Sequence, residues 1–334
     1  LPVKFLLLAA GVLICGGFVM SSRMDGHSVH ELYIFYGGFI GFGSGLSYNM
    51  LLSITGMWYP DKKGVCSGIM MMSFGLSALL LGQVCVWLFD HLKTAWRGAF
   101  ICTGAAALAV MALCALVFRL PSDGREVPVA TGERMPSEAH GQREYTSAEV
   151  VRRPVFWLFY LYGTLGTAVG SVAFSFAYDL AVSIGAQAHV ATVFVGLLTV
   201  FNGVGRVFCG VLFDWIGREK TMLGAGILTV AAPLCMLIAL LLTCLPLGLA
   251  AFCIIGISYG CYPTISASVI ADFYGGRSFS LNYSISNTKL LLSSFFSVFA
   301  ADLLARTGSY VAPFLVLLGL AVAALGLGCA VRRP

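Results

Sequence analysis

The sequence predicts an all-α protein that crosses a lipid bilayer many times, on three observations. Of the 334 residues, 59% are hydrophobic and 10% charged, with a mean hydropathy of +0.90, far from the composition of soluble globular domains. Nearly uncharged apolar runs, each about 20 residues or longer, follow one another along the chain, the length that spans a hydrocarbon core. The cations sit mainly in the short connections, on one side of the predicted membrane. This leaves no stretch for a soluble catalytic domain, and the net charge of +5 is a topology signal rather than a nucleic-acid footprint.

Taken in order, ten spans are predicted at 5–22, 33–56, 65–89, 97–118, 155–184, 190–213, 221–243, 246–271, 279–303 and 309–330. Residues 119–153 differ in kind. The stretch LPSDGREVPVATGERMPSEAHGQREYTSAEVVRR is polar, carries both signs of charge and lacks an apolar helical period, so it is expected to be a linker. The domain organisation expected is therefore an N-terminal bundle at 1–118, a linker at 119–153 and a C-terminal bundle at 154–334.

With the linker on the cytoplasmic side, Lys4, Lys62, Lys63, Arg119, Arg125, Arg134, Arg143, Arg152, Arg153, Arg218, Lys220, Arg277, Arg332 and Arg333 fall inside. Arg23, Lys93, Arg97 and Arg306 fall outside. That asymmetry predicts a cytoplasmic linker and C-terminus in a cellular (plasma or inner) membrane. The halves also repeat: LPVKFLLLAAG at residue 1 matches GREKTMLGAGI at 217, and WYPDKKGVCSG at 58 occupies the place of DFYGGRSFSLN at 272, an offset of about 215 residues. Two spans precede the repeat in the second half and none precedes it in the first, so a twelve-helix parent lacking its first two helices is expected.

Two cations lie inside spans, Arg206 and Lys289. An ionised side chain at a helix centre costs about 2.5–3.5 kcal/mol on insertion scales, so each needs a compensating partner. The acidic residues, from Asp25 to Asp302, all fall in loops, in the linker or at span ends; Asp179, near one span end, is the best rival partner. The absent negative charge is then assigned to the substrate, with the Arg206 guanidinium as a fork for a carboxylate and the Lys289 ammonium as a point charge. The competing reading is that each snorkels to an interface or bonds freed carbonyls. Tyr48, Asn49, Asn202, Tyr259, Tyr262, Asn282, Tyr283, Asn287 and Thr288 offer hydroxyls and amides to the same cavity, or serve as packing glue between helices.

Other features carry less. The 11 cysteines are scattered singly, mostly inside spans, without a Cys-x-x-Cys pair, and read as small core residues. Gly37, Gly38, Gly41, Gly43 and Gly45 lack the Lys-Ser/Thr of a phosphate loop and read as helix-packing positions. His27 and His30 are too isolated for a metal site. With no catalytic constellation, the expectation is a protein that is not an enzyme, binds no metal or cofactor, and partners the bilayer and a small carboxylate as a monomer.

The segment GVLFDWIGREK at 210–220 resembles the loop signature of the major facilitator superfamily, G-x-x-x-D-x-x-G-R-x-K. The resemblance implies two six-helix bundles, of which ten helices are present here. It also gives Gly210, Asp214, Gly217, Arg218 and Lys220 a gating and structural role, shared with the Asp61, Lys62, Lys63 and Gly64 turn of the first half. Within that superfamily WYPDKKGVCSGIMMMSFGLSALLLG is similar to the fourth-to-fifth-helix segment of oxalate:formate antiporters. An Arg in helix eight and a Lys in helix eleven, matched by Arg206 and Lys289, are implied to bind the dicarboxylate. Related monocarboxylate transporters carry an Asp four residues before the helix-eight Arg; here that residue is Asn202, which favours anion exchange over proton symport. The expectation is a secondary active transporter of small organic anions working by alternating access. Its alternatives are a proton-linked monocarboxylate carrier, or a non-transporting sensor or remnant.

Overall fold

The computed structural model describes residues 3–24, 29–59, 65–66, 68–73, 81, 84, 95–118, 145–275 and 278–331. The chain divides into two compact units, residues 1–60 with 77–131, and residues 61–76 with 132–334. Every described element is helical apart from turns and connections. Among the described residues, eight helices are long and apolar enough to cross a membrane, against the ten spans expected. The expected span at 65–89 lies largely outside the described residues. The one at 33–56 is helical from Leu32 to Trp58, but its first nine residues, Leu32–Ile40, are wound as a π-helix.

In the first unit, α1 (Val3–Ser21) is packed by the π-helix, by α2 (Gly41–Trp58) and by α3 (Ala95–Val117). Glycine sets the spacing. A Cβ on Gly43 would come within 2.9 Å of the Ala10 carbonyl, and one on Gly104 within 2.9 Å of Phe18 Cβ. Without lipid-excluding force between helices, such close backbone approach and the dispersion it permits are what hold the bundle. Rings of Phe18, Tyr36, Trp96 and Phe100 close one end of the unit.

The second unit begins its described C-terminal part with α4 (Ser147–Val151), one capped turn where irregular linker was expected. The Glu149 carboxylate accepts from both the N–H and the hydroxyl of Thr146, at 2.9 Å each, so the Thr-x-x-Glu box outweighs the polar composition around it. The long helices are α5 (Pro154–Ser175), α7 (Ala188–Ile216), α8 (Arg218–Leu242) and α9 (Leu245–Tyr274). Short α6 (Ala177–Ser183), α10 (Phe279–Asn287), α11 (Lys289–Thr307) and α12 (Val311–Ala330) complete it. One expected span is interrupted: 155–184 breaks at Phe176 between α5 and α6, whereas 279–303 is carried by one membrane-length helix, Phe279–Thr307, whose α10 and α11 parts meet at a tightened helical turn at Thr288.

Helix α9 is the hub, against which α7, α8, α5 and α10 pack. Its approach to α7 is tight because Gly205 on α7 and Gly256 on α9 carry no Cβ; one on Gly256 would lie 2.7 Å from the Leu198 carbonyl. The apolar core of this unit includes Leu180, Phe194, Leu198, Met236, Phe252, Ile255, Phe314 and Leu317, all buried. Outward faces remain apolar, with Trp215, Leu241, Phe295 and Val298 each more than 60% exposed, as expected of surfaces that meet lipid.

Candidate functional site

The charge most in need of explanation is Lys289, which is 1% exposed and opens α11 directly after the tightened turn at Thr288. Its ammonium donates to the Ser266 hydroxyl of α9 and sits 5.6 Å from the centroid of the Phe159 ring of α5. Ser266 hands its own proton to the Tyr262 carbonyl at 2.7 Å, which leaves its lone pairs for the lysine. At that turn the Tyr160 hydroxyl meets that of Thr288 at 2.9 Å. Among the described residues Lys289 forms no ion pair; the pairs present are Arg218 with Glu219 and Asp272, and Arg306 with Asp302. One hydroxyl and one ring face are weak compensation for a desolvated ammonium.

Arg206, on α7 and 6% exposed, is placed differently. Its Nη1 donates to the Met71 carbonyl at 2.6 Å, and its own carbonyl accepts from the Thr264 hydroxyl at 3.2 Å. Gly68 fits beside it because a Cβ there would fall 2.6 Å from the Arg206 carbonyl. The guanidinium therefore bonds a backbone carbonyl, as in the competing sequence reading, and it does so in the segment 61–76 that belongs to the same compact unit. Asn202, one turn earlier and 6% exposed, has its side-chain oxygen buried without a partner among the described residues.

The tyrosines divide. Tyr262 is buried in a hydroxyl network, meeting Thr229 at 2.8 Å, and Thr229 meets Ser258 at 2.7 Å; its ring lies 5.3 Å from that of Tyr162 and fills the space Gly166 leaves. Tyr259 packs against Gly170 and the Phe174 ring at 5.4 Å. Tyr283 is stacked on Phe279 at 5.6 Å, and Tyr48 lies half-buried on α2 of the other unit. Sequence inspection overlooked Ser266, Phe159 and Gly163, the groups that hold Lys289. Ser266 falls one turn after Tyr262, and a Cβ on Gly163 would lie 2.7 Å from Lys289 Cδ, so the small residue opens the lysine's berth.

In the loop motif, Gly217 takes φ +82° between α7 and α8, a conformation that favours glycine. It lets the chain reverse so that Asp214 and Arg218 serve different partners. The Asp214 carboxylate accepts the Val65 N–H at 2.9 Å. Arg218 lies over the Phe273 ring at 4.5 Å, with Asp272 at 3.9 Å and Glu219 at 3.2 Å. Gly210 is buried on α7 and Lys220 is exposed. Asp61, Lys62, Lys63 and Gly64 lie outside the described residues.

Comparison with known proteins agrees with this architecture. The oxalate:formate antiporter of Oxalobacter formigenes is 30% identical over 288 residues, covering 82% of this chain and 63% of that protein. The chain thus spans under two thirds of that relative's length. An uncharacterized MFS-type transporter of Escherichia coli, YhjX, is 24% identical over 85% of the chain, and monocarboxylate transporter 12-B of Danio rerio 29% identical over 32% of it. Among solved structures, the E. coli fucose:proton symporter FucP superposes with a TM-score of 0.70 over 99% of this chain and 84% of its own, at 13% identity. The proton:xylose symporter XylE does so with a TM-score of 0.70 over 96% and 78%, at 16% identity. The family profile described as Major Facilitator Superfamily matches residues 2–288, and the chain, a multi-pass helical membrane protein, belongs to that superfamily.

Proposed function

We propose that the protein is a secondary transporter that exchanges small carboxylates across the membrane by alternating access, with Lys289 contacting the anion and Arg206 assisting it. The observation that carries this reading is Lys289 itself: an ammonium 1% exposed, with no ion pair among the described residues and a flexible stem in a glycine-lined berth. Such a charge is costly in every step in which it stays unpaired, and a bound carboxylate removes that cost. Exchange follows from the same argument, since a carrier that reorients with its lysine unneutralised crosses a higher barrier than a loaded one. The likeness to the Oxalobacter antiporter supports a dicarboxylate cargo, and Asn202 in place of a carboxylate supports exchange over proton symport.

In this reading Asp214, Gly217 and Arg218 belong to gating, through the Val65 N–H and the Asp272 and Phe273 contacts. The linker and C-terminus face the cytoplasm, and the N-terminal bundle, residues 1–118, works against the C-terminal one, 154–334. The test is uptake of labelled oxalate and of lactate by proteoliposomes holding the full-length carrier, preloaded with anion or empty, beside Lys289→Ala. Uptake that needs a preloaded anion and vanishes in the variant is the expected result. Uptake into empty vesicles driven by an inward proton gradient would replace exchange with proton-linked carriage, and equal uptake by Lys289→Ala would remove the lysine from the site.

A further inference from the structure

The joint between α4 and α5 forms a basic notch at the edge of a membrane span. Glu149, Arg152, Arg153, Pro154 and Val155 line an open cavity of about 420 Å³, and Pro154 is the first residue of the span Pro154–Ser175. Specific bonds shape it. The Thr146 to Glu149 box starts α4, the Arg153 N–H donates to the Val150 carbonyl at 3.0 Å, and the Trp157 indole donates to the Val151 carbonyl at 2.8 Å, so α4 is tied across the start of α5. The Arg153 guanidinium lies over the Tyr145 ring at 4.7 Å. Tyr145 is fixed in turn to the end of α9, by its N–H to the Tyr274 carbonyl at 3.2 Å and by an edge-to-face contact with the Tyr274 ring at 5.7 Å.

The charges select the ligand. Two arginines line the notch, and among the described residues neither is in an ion pair. The one carboxylate beside them, Glu149, already takes the N–H and the hydroxyl of Thr146 on a single oxygen. The backbone adds the same sign, since Arg153 is the N-cap of the 22-residue helix α5 and supplies no side-chain acceptor to its N–H groups. Adjacent guanidiniums suit a phosphate, whereas a zwitterionic headgroup brings a cation of its own that they repel. The surroundings separate a lipid from a soluble phosphate. Trp157 and Leu161 are exposed and stand four residues apart, so they run from the notch along the outer face of the span. An indole at the start of a span and an aliphatic side chain one turn deeper are what a headgroup and its acyl chain meet.

We propose that the notch binds an anionic phospholipid, with Arg152 and Arg153 on the headgroup phosphate and an acyl chain laid on Trp157 and Leu161. The site is separate from the carboxylate site and stands whatever the cargo is. A lipid held there sets the start of α5 at headgroup level, and α5 is the helix that carries Phe159 and Gly163 of the lysine's berth.

The experiment is native mass spectrometry of the full-length carrier in detergent, titrated with phosphatidylglycerol, with phosphatidylcholine or with inorganic phosphate. One phosphatidylglycerol should be retained in preference to phosphatidylcholine. Its affinity should fall about fivefold in Arg152→Gln and about 25-fold when Arg153→Gln is added, at the usual worth of a juxtamembrane cation. Arg306→Gln, which removes a cation elsewhere, should leave it unchanged. Arg152 is exposed, so the single variant reads the site even where the double one fails to fold. Equal retention of phosphatidylcholine, or unchanged affinity in Arg152→Gln, overturns the proposal. Tighter binding of inorganic phosphate than of the lipid overturns it in favour of a free-anion site. A lipid adduct that forms only after Glu138→Gln and Glu144→Gln overturns it too, by making the chain's own carboxylates the occupant. None of these readouts involves transport, so failure here is separable from failure of the carboxylate reading.

Discussion

Lys289 and Gly163 are fitted to each other: a Cβ on Gly163 would stand 2.7 Å from Lys289 Cδ, 3.0 Å from Cε and 3.3 Å from Nζ. The outer part of the lysine, from Cδ to Nζ, therefore lies against α5 where the missing Gly163 side chain leaves room. Since the stem is flexible, Gly163→Ala should push it aside and keep the fold, while Gly163→Val should leave no berth. The expected outcome is a several-fold rise in KM for the anion in Gly163→Ala and loss of exchange in Gly163→Val, with both variants still folded by size-exclusion chromatography. Unchanged KM in both would show that the lysine's position does not matter to transport.

Lys289 should be costly to the fold and necessary to transport, and the two can be separated. Replacing even a buried ion pair by well-packed apolar side chains is often neutral or stabilising by about 1–4 kcal/mol, and a buried charge that lacks an ionic partner has less attraction to lose. Lys289→Met is accordingly expected to melt at the same temperature or higher while losing anion-dependent exchange. A clear fall in Tm would mean that the Ser266 and Phe159 contacts outweigh the desolvation, and that the lysine is there for structure.

The Tyr262 hydroxyl is tied to Thr229, and Thr229 to Ser258, in a network buried between α8 and α9. Tyr262→Phe removes one hydrogen bond and should cost about 1 kcal/mol, while Thr229 still donates to the Ala225 carbonyl and meets Ser258. Thr229→Val should cost more, because it strands the Tyr262 and Ser258 hydroxyls, and the double variant less than the sum of the two, because the Tyr262 hydroxyl it would strand is gone. Chemical denaturation in detergent would read the coupling. If instead Tyr262→Phe keeps full stability and raises KM, the hydroxyl serves the substrate and the packing reading fails.

Much of this arrangement was legible in the sequence, and the part that was not has physical reasons. Composition alone announces a membrane protein, because lipid demands long apolar helices. The Gly210 to Lys220 pattern marks its loop, and a lysine at a span centre advertises itself through its cost. Partners are another matter. Ser266 and Gly163 owe their roles to helices brought together by glycine spacing, and one sequence does not reveal which small residue faces which neighbour. Arg206 shows the same limit: a bond to a backbone carbonyl is one of its two sequence readings, but which carbonyl, that of Met71, is not legible, because backbone acceptors leave no trace in residue identity. The break at Phe176 is not legible in the sequence, since apolar character persists across it and no proline marks it.

Asp214 gives the last prediction. Its carboxylate holds the Val65 N–H at 2.9 Å, so Asp214→Asn keeps an oxygen acceptor and loses the charge, whereas Asp214→Ala loses both. A hydrogen bond from a backbone N–H is worth about 0.5–1.5 kcal/mol with a neutral acceptor and about 1.5–3 kcal/mol with a charged one. If it stabilises one state of the transport cycle, weakening it changes the rate of interconversion and leaves the anion's intrinsic affinity alone. Exchange rates should then be altered in the order Ala more than Asn, with little change in KM, and the effect of Asn should shrink at high salt, where the charge contribution of the wild type is screened. A change in KM at constant maximal rate would place Asp214 on the substrate's path instead. Equal rates in all three proteins would make the bond to Val65 incidental to the cycle.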